Sequence, residues 1–188
     1  MPISINGNGT IAGISSGGLP DACVTAADIA SGVVTPKLGQ IQSTNTTNVF
    51  TTTSATYVDV TGLSVSITPT SSSSKIFILY SVFGSSTNHA AMRLVRDSTA
   101  INVGTAGGSR IIASAVGFQT DGSATGYEGG VVSGNFVDSP NTTSAVTYKI
   151  QVLTYAGATF YSNTTNTDSD TTYTYRGAST ITAIEVLV

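Results

Sequence analysis

The chain has 188 residues, of which 9% are charged, with a net charge of −3 and a single cysteine and histidine; an average soluble domain is about 25% charged. Seven basic residues cannot build the positive field that nucleic-acid binding needs, and a mean hydropathy of +0.21 argues against disorder. One cysteine excludes a disulfide framework and a multi-cysteine zinc site, and serine with threonine, at about 30% of the chain, replaces the missing charge.

Residues 1–44 differ from the rest. The opening MPISINGNGT has no basic n-region and no apolar h-region, so no secretory signal is expected. The segment contains no aromatic residue, so it has no large side chains with which to make a core of its own. Its apolar residues Ile3, Ile5, Ile11, Ile14, Leu19, Val24, Ile29, Val33, Val34, Leu38 and Ile41 are spread evenly among glycines. That pattern predicts an extended arm that buries side chains against another chain. Two short helical turns are expected within it. One runs from Thr25 as N-cap to Asp28 at N3, stopped by Gly32. The other starts at Thr35 with Pro36 at N1. Neither is long enough to stand alone, since isolated helices shorter than about 12–15 residues are marginal.

Residues 45–188 read as all-β. Strands are predicted over 49–52, 55–60, 63–68, 75–83, 91–96, 111–116, 129–137, 145–154, 159–163, 171–176 and 180–188. Leu63-Ser64-Val65-Ser66-Ile67 alternates strictly, as a half-buried strand does. Ile76-Phe77-Ile78-Leu79-Tyr80 is apolar on both faces, which predicts cover by the core on one side and by a partner on the other. The spacing suits a sandwich of jelly-roll type. No apolar run is long enough to cross a membrane as a helix.

Two stretches resemble bacteriophage tail-fibre-like virion proteins of the marine phage and cyanophage type. The first is Ile3-Ser4-Ile5-Asn6-Gly7-Asn8-Gly9-Thr10-Ile11, followed by Gly17-Gly18-Leu19-Pro20-Asp21 and Val24-Thr25-Ala26-Ala27-Asp28-Ile29. The second comprises Ser133-Gly134-Asn135-Phe136-Val137-Asp138-Ser139-Pro140, Val146-Thr147-Tyr148-Lys149-Ile150 and the closing Ser179-Thr180-Ile181-Thr182-Ala183-Ile184-Glu185-Val186. This second stretch is similar to fibre heads related to the complement and tumour-necrosis-factor jelly rolls. The resemblance implies a homotrimeric head on residues 45–188, anchored by the arm to other virion proteins of the tail, baseplate or capsid. It implies a virion product made in the host cytoplasm, and contact with a host cell-surface glycan or protein. The chain lacks a heptad shaft, so a capsid decoration protein stands as the alternative, with a glycan-depolymerising spike as the second.

The chemistry-bearing residues are sparse. His89 lies in a predicted loop without an orienting acid nearby in sequence, so no catalytic role is expected. Asp168-Ser169-Asp170 offers hard oxygen ligands but lacks the EF-hand glycine and glutamate; no metal or cofactor is expected. Asn163, Asn166, Asp168 and Asp170 form a polar loop that is the candidate receptor-contact segment. Six of the eight tyrosines fall between Tyr127 and Tyr175, which points either to core and trimer packing or to a glycan surface. Arg93, Arg96, Arg110 and Arg176 are expected to pair with acids or carbonyls at a subunit interface, with Asp59 and Glu185 as candidate acids. With so little charge, the chain reads as a non-enzymatic subunit whose neutral surface is hidden by assembly.

Overall fold

A computed structural model describes residues 4–5, 11–12, 37–118, 126–155 and 157–188. The chain divides into two units, Met1–Pro36 and Lys37–Val188. In the first, β1 (Ser4–Ile5) pairs antiparallel with β2 (Ile11–Ala12), Ile5 opposite Ile11. Ile3, Ile14, Leu19, Val24, Ile29, Val33 and Val34, and the predicted helical turn over 24–29, lie outside the described residues.

The second unit starts earlier than the sequence boundary at 45. Leu38, assigned above to the arm, opens a strand, β3 (Leu38–Thr46), not a helical turn. The remaining strands are β4 (Phe50–Thr52), β5 (Val58–Ile67), β6 (Lys75–Ser86), β7 (Ala90–Arg96), β8 (Thr99–Ile101), β9 (Ala115–Val116), β10 (Gly130–Asp138), β11 (Val146–Thr154), β12 (Phe160–Ser162) and β13 (Ser179–Val186). No helix occurs among the described residues, and the unit is all-β.

Two antiparallel sheets share the core. In the six-stranded sheet β6 is the hub. One of its edges carries β13 and then β12, and its other edge carries β10. β3 flanks β13, and β4 flanks β12. The other sheet is five-stranded, in the order β5-β11-β7-β8, with β9 beside the start of β7. Side chains alternate along each strand, so Ile76, Ile78, Tyr80 and Val82 of β6 face Leu63, Val65, Tyr148, Ile150, Met92 and Leu94 from the opposite sheet in one buried cluster. Phe160 and Phe118 meet edge to face at 4.9 Å in the same core.

Four strand expectations change, the first being that only Ala115–Val116 of the run over 111–116 is strand. The runs over 55–60 and 63–68 are one strand, because Gly62 takes φ +80° in an irregularity that shifts the register of β5 against β11. The two-residue turn Asp97-Ser98, with Asp97 at φ +53°, folds β8 back on β7. Residues 171–176 alternate Thr and Tyr but find no partner strand, and only Arg176 forms a bridge, to Thr164.

Glu185 is fully buried on β13, where alternation turns it inward. Its Oε1 accepts from Thr70 N at 2.6 Å and Thr70 Oγ1 at 2.7 Å, and Oε2 accepts from Gln40 Nε2 at 3.3 Å. Arginine is therefore not its partner, contrary to the sequence expectation. Desolvation raises its pKa, but the bonds from Thr70, with a smaller contribution from Gln40, outweigh it and lower the value to about 2. A depressed folded pKa contributes stability that is complete above the ordinary value of 4.5 and is lost as pH falls toward 2. The melting temperatures of the wild type and Glu185→Gln should therefore converge between pH 4.5 and pH 2. A gap that stays constant across that window would rule the linkage out.

Candidate functional site

The two sheets have unlike outer faces. On the five-stranded sheet the outward side chains are laced by polar contacts. Lys149 Nζ reaches Asp59 Oδ2 at 2.8 Å, and Gln151 Nε2 reaches Asp59 Oδ1 at 2.6 Å. Arg93 Nε donates to Gln151 Oε1 at 2.8 Å while its guanidinium lies 4.1 Å from the centre of the Tyr57 ring. Asp59 thus pairs with a lysine rather than an arginine. Desolvation raises its pKa, but the bonds from Lys149 and Gln151 bring the net shift below the usual carboxylate value.

The outer face of the six-stranded sheet carries an apolar row. Register places Ile41, Ile184, Phe77 and Val137 side by side across β3, β13, β6 and β10. At about 4.8 Å per strand this row is about 14 Å wide. Leu79 adjoins it on β6, and Ile41 and Val137 are each more than half exposed. The next row, Ser43, Thr182, Leu79 and Asn135, is mostly small and polar, and Ser43 Oγ and Thr182 Oγ1 lie 2.8 Å apart. An exposed apolar row of this kind is a mark of interaction surfaces.

At one end of the same sheet the tyrosines gather. Tyr127, Tyr173 and Tyr175 line a cleft of about 720 Å³ with Phe83, Glu128, Gly129 and Arg176. The rings of Tyr127 and Tyr173 are 6.0 Å apart and tilted by 32°. Tyr173 and Tyr175 are 65% and 57% exposed. The Phe83 ring sits below, with glycines pressed against it. A Cβ at Gly177 would lie 2.5 Å from the Phe83 ring, and one at Gly129 would lie 2.9 Å from it. Both positions must stay glycine for the two backbone segments to lie this close to the ring. Sequence clustering found these tyrosines but could not sort them. Tyr148 is fully buried and Tyr161 sits in β12, so only three of the six line the cleft.

The predicted receptor loop splits. Asn163 is 1% exposed and at φ +62°. Its Nδ2 donates to the carbonyls of Thr46 (3.1 Å) and Asn48 (2.9 Å), and its Oδ1 accepts from Ser179 Oγ at 2.6 Å. It is a buried brace, not a contact residue. Asn166 is half-buried, and Asp168 and Asp170 are exposed beside the cleft. Asp168 is occupied by Arg176, whose Nε and Nη2 donate to its two oxygens at 2.8 and 2.6 Å. A cation at Asp168 would meet that guanidinium. The remaining arginines also find partners within the chain: Arg96 on Asp138 and Arg110 Nη1 on the Gly107 carbonyl at 3.1 Å. The kinds of partner match the expectation, but they belong to the same chain. His89 is exposed and meets Tyr155 edge-on at 6.2 Å, beside a small cavity of about 190 Å³ lined by Ala91, Val116 and Leu153.

No family model matches the chain, and a search of curated proteins returned no match.

Proposed function

We propose that this chain is a non-enzymatic structural protein of a bacteriophage virion, of the short tail-fibre or fibre-knob kind. In this reading the N-terminal segment anchors it to other virion proteins. The unit from Lys37 onward is a jelly-roll head that assembles as a homotrimer and holds the host surface. The apolar row on the outer face of the six-stranded sheet carries the proposal. An exposed apolar row four strands wide on one sheet, against the ion-paired patch of Asp59, Lys149, Gln151 and Arg93 on the other, favours self-association through the six-stranded sheet. The strand orders β3-β13-β6-β10 and β5-β11-β7-β8 support the jelly-roll reading. The acids argue for structure over catalysis: Asp59, Asp138, Asp168 and Glu185 are all committed to hydrogen bonds or ion pairs. Multivalent display then lets individually weak head contacts hold a particle.

Sedimentation should show a trimer at micromolar concentration. Leu79→Asp combined with Val137→Asp places charge in the middle of the face and should give a monomer with an unchanged β-type circular dichroism spectrum. Both residues are exposed in the single chain, so the fold itself tolerates the change. A stable wild-type monomer would overturn the assembly. Imaging virions with a labelled head separates the tail position from capsid decoration, and host-cell blocking by the purified head tests adhesion.

A further inference from the structure

We propose that the tyrosine cleft is a saccharide subsite, taking the flat face of a neutral pyranose between Tyr127, Tyr173 and Tyr175. The proposal rests on the adhesion reading and names its ligand class. The walls supply the first argument. Two rings 6.0 Å apart and tilted by 32° line the cleft together, and aromatic faces suit the C–H face of a sugar ring while their hydroxyls can bond its rim. The volume of about 720 Å³ falls within the range of about 300–1,000 Å³ found for small-ligand sites.

The rim charges supply the second. Arg176 is fixed by two bonds to Asp168, which neutralises it and orients its plane, and no hydrogen bond engages its Nη1 among the described residues. Glu128 is exposed on the opposite segment of the same cleft. One oriented donor and one acceptor match the vicinal hydroxyls of a sugar. A phosphate or a carboxylate ligand would be repelled by Glu128 and would find Arg176 already paired, so the cleft selects against anions.

The third argument is the floor. Gly129 and Gly177 cannot carry a Cβ without striking Phe83. The segment bearing Tyr175 and Arg176 is also tied down, by Gly177 N donating to the Asn163 carbonyl at 3.1 Å and by the Arg176–Thr164 bridge. The backbone that carries Tyr175 and Arg176 is therefore held before any ligand arrives, which lowers the ordering cost of binding.

Binding at one site is expected to be weak, in the millimolar range, and to become useful through several copies. The test is NMR titration of the intact protein with methyl glycosides of glucose, galactose, mannose and N-acetylglucosamine and with maltotriose. At least one should shift the resonances of Tyr127 and Tyr173. Tyr173→Ala should weaken that binding about tenfold, whereas Tyr173→Phe should keep it within about threefold because the stacking face remains. Tyr173 is exposed, so neither variant endangers the fold. A panel that leaves the tyrosine resonances unmoved overturns the subsite, as does binding that survives Tyr173→Ala. Host-cell binding measured alongside keeps the two readings apart: cells held equally well by Tyr173→Ala sink the cleft and leave adhesion standing, and cells ignored by the wild type sink adhesion.

Discussion

Asn163→Ala is expected to destabilise the head by about 4 kcal/mol, which lowers the melting temperature by about 10 °C in a chain of this size. The side chain makes three hydrogen bonds at 1% exposure, to the carbonyls of Thr46 and Asn48 and from Ser179 Oγ. Its backbone adds two more, donating to the Phe83 carbonyl at 3.0 Å and accepting from Gly177 N at 3.1 Å. One residue thus ties the end of β3 to β6 and to the segment entering β13. Truncation removes about 1 kcal/mol for each side-chain bond and leaves buried polar groups without partners, at about 1–3 kcal/mol for the worst of them. Alanine also fits φ +62° poorly, at a cost of about 1 kcal/mol, where asparagine is tolerated. Asn163→Gly relieves the backbone and not the bonds, so it should recover about 1 kcal/mol. Chemical denaturation at fixed protein concentration measures both. A loss below about 1 kcal/mol for the alanine variant would remove Asn163 from its bracing role. The same substitution should loosen the cleft, because it strains the backbone at φ +62° and removes the Ser179 bond beside the carbonyl that holds Gly177 N.

Asn163 also shows where sequence reading stops. An asparagine in a Ser/Thr/Asn run reads as exposed loop, and nothing local distinguishes an amide facing water from one facing two buried carbonyls. β3 escaped notice for a related reason. Its apolar residues Leu38 and Ile41 face outward, and its inward positions are Gln40, Gln42 and Thr44; no alternation of core residues marks it. Its strand character comes from β13, which supplies the pairing. By contrast, the two-faced run 76–80 was legible. Ile76 and Ile78 are fully buried in the core, while Phe77 and Leu79 lie on the outer face. Alternation within one strand is a local property, and a run without polar positions leaves little freedom. The cleft lies between these cases. Tyr127 and Tyr173 are far apart in sequence, so their abundance was visible but their meeting was not. It depends on β6 carrying Phe83 beneath both segments.

Asp138→Ala is the second large effect, about 3 kcal/mol. Asp138 ends β10 at 6% exposure. Its two oxygens accept from Arg96 Nη1 at 2.9 and 2.7 Å, and Oδ2 also accepts from Tyr148 OH at 2.7 Å. The three side chains come from β10 of one sheet and β7 and β11 of the other, so this carboxylate fastens the sandwich across its core. Burial pushes the Tyr148 phenol well above its ordinary pKa, and the bond to Asp138 pushes in the same direction; the phenol stays a donor. Removing the carboxylate strands a fully buried hydroxyl and unpairs Arg96. Breaking a buried pair costs about 3–5 kcal/mol. The Arg96 side chain retains 26% exposure and can be rehydrated, which places the loss at the lower end. Asp138→Asn keeps the shape and an acceptor for Tyr148 but loses the charge, and should cost about 2 kcal/mol. Tyr148→Phe leaves the ion pair intact and should cost about 1 kcal/mol. If one carboxylate serves both partners, Tyr148→Phe on the Asp138→Ala background should cost almost nothing, since its acceptor is already gone. Additive losses in that double-mutant cycle would mean the two bonds act independently, and the carboxylate would not be the fastening between the sheets.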